Sequence, residues 1–320
     1  MNHFLRISVL SGLVFVLGSS LIIESGIRAQ ESDETLGVEY TEGHVDSDGV
    51  KIHYVTAGEG PLLVMIHGFP DYWYSWRDQI PALAEHFQVV AIDQRGYNLS
   101  DQPEGVAAYA MPKLVGDVVA VIDHFEADKA VIVGHDWGGA VAWNLTMRFP
   151  DRVDRLVILN LPHPRGLFRE LSTNPDQQKN SQYARDFQQE DAADKIQSAQ
   201  LAGWVAEPEA RQKYVEAFER SSIEGMLNYY KANYPRTSAP SDSEDAPTAA
   251  AAVPPMPQVQ CPVLMFHGLD DQALLPAGLN GTWDWIDNEL TIVTIPGAGH
   301  FVQRDASESV TRHMVRWLSD

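Results

Sequence analysis

Gly134-His135-Asp136-Trp137-Gly138-Gly139 is the stretch on which the reading of this chain turns. It follows the apolar run Ala130-Val131-Ile132-Val133 and precedes a helical pattern over 140–148. Glycine–x–nucleophile–x–glycine in that setting is a strand–turn–helix elbow, so tight that side chains at Gly134 and Gly138 would collide around position 136. The turn lifts Asp136 off the strand end, above the start of the next helix. The plainer alternative is a glycine-rich turn whose aspartate only caps that helix. Partners elsewhere in the chain weigh against it.

A carboxylate in this position dictates the kind of electrophile. When an aspartate attacks carbon it becomes an alkyl ester, which requires an sp³ carbon carrying a leaving group. Epoxides and alkyl halides meet that requirement; ordinary esters meet it poorly.

Outward from the elbow, short continuous apolar runs recur: Leu62-Leu63-Val64-Met65-Ile66, Val89-Val90-Ala91-Ile92 and Leu156-Val157-Ile158-Leu159. Strands covered by helices on both faces read this way. With helical stretches such as 111–125 between them, the alternation implies a doubly wound, mostly parallel α/β sheet. Val50-Lys51-Ile52-His53-Tyr54-Val55 alternates as a half-buried strand. The polar, acidic residues 30–46 before it are expected to be a loose leader. Past Pro162 the strands stop, and helical sequence runs to about Lys231. A low-complexity connector rich in Ser, Ala and Pro follows over 236–258, unable to pack a core. Strands return at 263–266 and 290–295, with a closing helix over 307–318. The expected organisation is a core in two parts, 30–161 and 259–320, interrupted by a helical cap over 162–235. Such a cap encloses a pocket at the carboxyl ends of the strands, where these sheets bind ligands.

The remaining groups arrive in the order that nucleophile, acid and base take in such elbow enzymes. His300, in Gly297-Ala298-Gly299-His300-Phe301, follows the last strand and is the candidate base. The acid that orients it belongs after the preceding strand, where Asp270 and Asp271 stand side by side; Asp271 is favoured and Asp270 competes. His67-Gly68-Phe69-Pro70 follows the strand at 62–66, where a backbone N–H joins the oxyanion hole. Phe69 and Trp137 are the expected N–H donors, whereas Pro70 has no N–H and can only shape the turn. His67, Pro70 and His163 are candidate pocket-lining residues, although a hinge role at the exit from the sheet into the cap suits His163 better.

Composition excludes several other functions. With 44 acidic against 23 basic residues and a formal charge of −21, no clustered Lys and Arg offer a nucleic-acid groove. No ligands stand at zinc or calcium spacing and no phosphate loop appears, so neither metal nor cofactor is expected. Cys261, the one cysteine, opens an apolar strand and reads as a core residue. At the N-terminus, Arg6, an apolar run from Ile7 to Ile23 and Ala29 near the exit read as a secretory signal peptide over 1–29, cut after Ala29. The exported protein would be periplasmic or secreted. An uncleaved membrane anchor is the alternative.

The segments His67-Gly68-Phe69-Pro70, Trp73-Tyr74-Ser75-Trp76-Arg77, Gln79-Ile80-Pro81-Ala82-Leu83 and the elbow at 134–139 together resemble the epoxide hydrolases of the α/β-hydrolase superfamily. The resemblance runs from about residue 38 to the C-terminus and is weakest over 236–258. It implies the α/β-hydrolase fold and an apolar epoxide, with water, as substrate. It also implies a pair of cap tyrosines that hydrogen-bond the epoxide oxygen. Tyr183, in Tyr183-Ala184-Arg185-Asp186-Phe187-Gln188, matches the first. Tyr230, in Leu227-Asn228-Tyr229-Tyr230-Lys231, matches the second, with Tyr229 the neighbour most easily confused with it. Haloalkane dehalogenases share the Asp–Trp elbow and are the competing reading, with an alkyl halide as substrate. Phe69 stands where one large group of them has asparagine, and phenols suit a leaving oxygen better than a halide. A non-catalytic binding protein on the same scaffold is the third reading.

Overall fold

The computed structural model describes residues 28–31, 36–236 and 256–319. Nine strands form one sheet: β1 (Arg28–Glu31), β2 (Tyr40–Ser47), β3 (Val50–Ala57), β4 (Leu62–Ile66), β5 (Gln88–Ile92), β6 (Ala130–His135), β7 (Val153–Leu159), β8 (Val263–Gly268) and β9 (Leu290–Ile295). Their spatial order is β1-β2-β3-β5-β4-β6-β7-β8-β9. The pairs β5–β4, β4–β6, β6–β7, β7–β8 and β8–β9 are parallel, while β1, β2 and β3 add an antiparallel wing.

The patterning explains the layout. Every residue of β4, β6 and β8 is buried, as the centre of a two-sided sheet requires. Helices α1 (Met111–His124) and α2 (Trp137–Arg148) pack against each other, and α2 lies on β6 and β7. The closing helix α8 (Ser307–Ser319) packs on β8 through Val310, Met314 and Leu318, a stripe at i, i+4 and i+8. Burying each of these side chains contributes about 2 kcal/mol.

The cap lies between β7 and β8. It comprises α3 (Pro164–Thr173), α4 (Pro175–Asn180), α5 (Gln182–Asp186), α6 (Pro208–Arg220) and α7 (Ile223–Asn233), with a single helical turn at Ser198–Leu201 and shorter 3₁₀ turns. The connector residues 237–255 lie outside the described residues, as does most of the signal-peptide reading. The expected cut after Ala29 falls inside β1, whose Arg28 pairs with Glu42 and Glu31 with Tyr40.

One expectation is corrected. Residues 40–46 are not a loose leader; they form most of β2, which pairs with β3 from Thr41–Thr56 to Ser47–Val50. A strand near the sheet edge needs only one buried face, and Gly43, Val45 and Ser47 supply it while His44 and Asp46 face solvent. Acidic residues on the other face masked the alternation.

Candidate active site

The elbow is strained as its sequence demands. Asp136 sits at φ 50°, ψ −118°, between β6 and α2, a conformation costing ~1–3 kcal/mol for a residue with a side chain. The crowding around it explains the glycines. A Cβ on Gly134 would strike the Gly138 carbonyl, one on Gly138 the Ile66 carbonyl, and one on Gly68 the Asp136 side chain.

The Asp136 carboxylate is held rather than free. Oδ1 accepts a hydrogen bond from the Phe69 N–H at 2.8 Å, and the Trp137 N–H also bonds the carboxylate. Both expected oxyanion donors therefore converge on this side chain. Oδ2 is turned toward His300, with Nε2 at 3.7 Å. Burial raises the Asp136 pKa, while the His300 charge and the two N–H donors oppose the rise.

His300 Nδ1 meets Asp271 Oδ2 at 2.9 Å. Burial alone would lower the imidazole pKa, but Asp271, through charge and hydrogen bond, and then Asp136 hold it up at about 9. Asp271 is buried, and its Oδ1 accepts the N–H groups of Ala273 and Leu274 at 2.7 and 3.0 Å. Burial would raise this carboxyl too; the His300 charge and hydrogen bond, the Asn160 amide and the Leu274 N–H hold it far below the usual range. Asp270 is exposed. Of the two aspartates, Asp271 is the one the turn places against His300.

Two phenols face this group from the cap. Tyr183 on α5 and Tyr230 on α7 have ring centroids 6.2 Å apart and hydrogen-bond through their hydroxyls. Tyr230 meets the Trp137 ring edge-on at 5.0 Å. Burial, and then each other's or Asp136's negative charge, push both phenols well above 10. Tyr229 points the other way: its hydroxyl donates to the Arg95 carbonyl at 2.9 Å and its ring packs on Tyr97.

Asp136, Trp137, Tyr183 and Tyr230 line one cavity of about 300 Å³, walled mainly by apolar side chains including Leu161, Leu167 and Met256. A larger open cleft of about 650 Å³ on the outside of the cap, lined by Arg185, Lys231 and Glu224, contains none of these groups.

His67, Pro70 and His163 are not among the described residues lining the cavity, which corrects their expected placement. His67 is consumed by backbone: Nδ1 donates to the Gly68 carbonyl at 2.8 Å and Nε2 accepts the Gln94 N–H at 3.0 Å. His163 is buried, stacked on Trp285 at 4.8 Å, and Nδ1 caps α3 by accepting the Arg165 N–H at 3.2 Å. It sits where the chain leaves the sheet for the cap. Pro70 follows Phe69 through a cis peptide bond and shapes the turn.

Sequence reasoning missed two residues. Asn160, at φ 42° just past β7, donates from Nδ2 to Asp271 Oδ2 at 2.6 Å and to the Gly299 carbonyl at 3.2 Å. Its Oδ1 accepts the Gly268 N–H at 3.1 Å. One amide thus ties together three loops of the site. Its only signal was an asparagine at a strand end, a residue that tolerates positive φ. Asp71 is fully buried; its pKa, driven up by burial against hydrogen bonds from Ser75, Tyr72 and Tyr214, reaches about 7. Its charge acts on His300. Following a His-Gly-Phe-Pro turn, it read as an ordinary turn aspartate.

The geometry agrees with what the chain is similar to. A family model for the alpha/beta hydrolase fold matches residues 61–307. Epoxide hydrolase 1 of Caenorhabditis elegans is 30% identical over 99% of this chain and 79% of its own length. Epoxide hydrolase A of Mycobacterium tuberculosis is 30% identical over 87% of this chain and 97% of its own length. The crystal structure of Bacillus megaterium epoxide hydrolase in complex with an inhibitor superposes with a TM-score of 0.79 at 30% identity, covering 87% of this chain and 100% of that one. An aspartate elbow backed by a histidine–aspartate pair and faced by two phenols, together with these likenesses, makes the chain a member of the α/β-hydrolase fold family and, within it, of the epoxide hydrolases.

Proposed function

We propose that this enzyme opens apolar epoxides to vicinal diols through an ester on Asp136. The observation carrying the reading is that Asp136 and the Tyr183–Tyr230 pair line the same apolar cavity. Oδ2 attacks one ring carbon, and the C–O bond breaks toward the phenols. The pair stabilises the alkoxide and gives it a proton, a contribution of the oxyanion-hole kind. At neutral pH the resting His300, with its pKa near 9, is an imidazolium, and its proton restores the phenol. Alkylation also erases the Asp136 charge, one of the interactions holding that pKa up, so the ester form favours the neutral base.

In the second step His300 takes a proton from water, and the resulting hydroxide adds to the ester carbonyl. Phe69 and Trp137 N–H groups hold the tetrahedral oxyanion. The acyl–oxygen bond then breaks, the departing diol oxygen takes the proton from His300, and the carboxylic acid left at Asp136 passes its own proton to His300, restoring carboxylate and imidazolium. Asp271, fixed by Asn160, orients the imidazole and balances its charge throughout.

The test is a pair of substrates. Styrene oxide should be converted to its diol, and 1-bromobutane should release little or no bromide. Bromide without diol would transfer the chain to the dehalogenase reading, which Phe69 and the phenol pair disfavour; silence on both would favour a binding protein.

Each of Tyr183→Phe and Tyr230→Phe should slow alkylation by ~10²-fold, the usual effect of removing one such donor, and the double change should slow it further. Single-turnover tryptophan fluorescence reads this, since Tyr230 abuts Trp137. A double variant within tenfold of the parent would remove the phenols from the reaction.

Export is proposed on the N-terminal features alone: the basic start, the apolar run and Ala29. Protein recovered from the envelope or medium of a secreting bacterial host should begin at Gln30. Recovery only with Met1 intact would favour the anchor.

A further inference from the structure

We propose that Asn144 holds the far end of the substrate, an uncharged group such as a hydroxyl that both donates and accepts a hydrogen bond. The inference rests on the epoxide-opening reading and names the substrate class of that site.

Trp137, Ala140 and Asn144 all line the cavity, and their spacing puts them in one stripe along α2. The cavity therefore runs along this helix, away from the elbow. Most polar side chains on its wall are already engaged. Asp136, Tyr183 and Tyr230 serve the reaction, and the Trp137 side chain hydrogen-bonds Tyr230. Asn233 is taken up by backbone: its Oδ1 accepts the Met111 N–H at 2.8 Å, and its Nδ2 donates to the Tyr109 and Tyr229 carbonyls at 2.9 and 3.0 Å. The Tyr234 hydroxyl bonds Ser181. Asn144 is different. Its Nδ2 gives one hydrogen to the Ala140 carbonyl at 2.9 Å. The second hydrogen and Oδ1 take no partner among the described residues. This half-buried amide thus brings an open donor and an open acceptor to a wall made mainly of apolar side chains.

A hydrocarbon arm laid along α2 would strip water from the amide without replacing its hydrogen bonds. A hydroxyl replaces both, donating to Oδ1 and accepting from Nδ2. A carboxylate has no hydrogen for Oδ1, and no Lys, Arg or His is among the described residues lining the cavity to balance its charge. Distance sets the length of the arm. Asn144 stands eight residues past Asp136, which at ~1.5 Å per residue is ~12 Å along the helix. The attack on carbon and the hydrogen bond at the far end each take up ~3 Å. An extended arm of about five bonds spans the remainder. A cavity of about 300 Å³ accepts a chain of that size.

Two matched pairs of epoxides test this, each exchanging a terminal methyl for a hydroxyl. In the long pair, 5,6-epoxyhexan-1-ol and 1,2-epoxyheptane, the hydroxyl reaches Asn144. In the short pair, 2,3-epoxypropan-1-ol and 1,2-epoxybutane, it falls short. The ratio of kcat/KM, alcohol over alkyl analogue, should be ~10-fold higher for the long pair than for the short, the worth of one neutral hydrogen bond. Asn144→Leu, and separately Asn144→Ala, should bring the two ratios together, with the greater part of the loss falling on 5,6-epoxyhexan-1-ol. Equal ratios in the parent enzyme, or a long-pair ratio that survives both variants, would overturn the role of Asn144 while the epoxide-opening reading stands. Turnover of none of the four epoxides would instead sink that reading, and this inference with it.

Discussion

Asp136→Ala is expected to reduce epoxide turnover by ~10⁴-fold or more, the scale on which removing a covalent nucleophile acts. No neighbouring group can substitute. Asp271 Oδ1 is tied to two backbone N–H groups and its Oδ2 to His300, and neither Asp271 nor Asp71 is among the described residues lining the cavity. The fold should survive the change. Burial raises the Asp136 pKa, and an acid whose folded pKa lies above its unfolded value loses stability as pH rises through that range. Removing it at neutral pH relieves that cost, while alanine at φ 50° keeps the strain of the elbow. Diol formation and thermal melting measured together check the prediction; several per cent residual turnover in a folded variant would remove Asp136 as the nucleophile. A labelling experiment gives an independent reading. In heavy-oxygen water a single turnover should place the label in the Asp136 carboxylate, since the diol takes its new oxygen from that side chain. Label appearing directly in the product would mean that water, not the enzyme, attacks carbon.

His300→Gln should separate the two steps. Glutamine cannot accept the proton of the attacking water, so ester hydrolysis should slow by ~10²–10⁴-fold, the usual contribution of a positioned base. Alkylation needs only the carboxylate and the phenols and should persist. The variant should consume about one equivalent of styrene oxide and then stop, its intact mass raised by that of the epoxide. Continued turnover without any adduct would exclude a long-lived ester and, with it, the role given to the imidazole.

Much of this arrangement was legible in the residues. The observed bounds of β4 coincide with the apolar run at 62–66, because a buried parallel strand leaves little choice of residue, and those of the edge strand β9 with the β-branched run at 290–295. The elbow was legible for the same steric reason: only glycine fits at 134 and 138. β2 was hidden because its outward face is acidic. The choice between Asp270 and Asp271 was undecidable from two identical residues in one turn; in the fold Asp271 meets His300 and takes the N–H groups of Ala273 and Leu274. His67 and His163 were misplaced because a histidine near a site looks chemical, whereas both ring nitrogens of His67 bond backbone and His163 caps a helix. Asn160 could not be found without the third dimension, since its partners Asp271 and Gly299 lie far along the chain.

The pairing of β7 with β8, in which Leu156 aligns with Val263, has a consequence for how the enzyme is made. These strands are neighbours in space but separated by the whole cap and connector, so their union closes a long loop and comes late in folding. Acid and base both follow that junction, whereas the elbow precedes it. On the proposed mechanism, a ribosome-bound or partly folded chain would carry the aspartate without its base, and could be alkylated but could not clear the ester. Reactive epoxides met during synthesis would act on such a chain as single-hit poisons, to which the finished enzyme, with its base in place, would be proof.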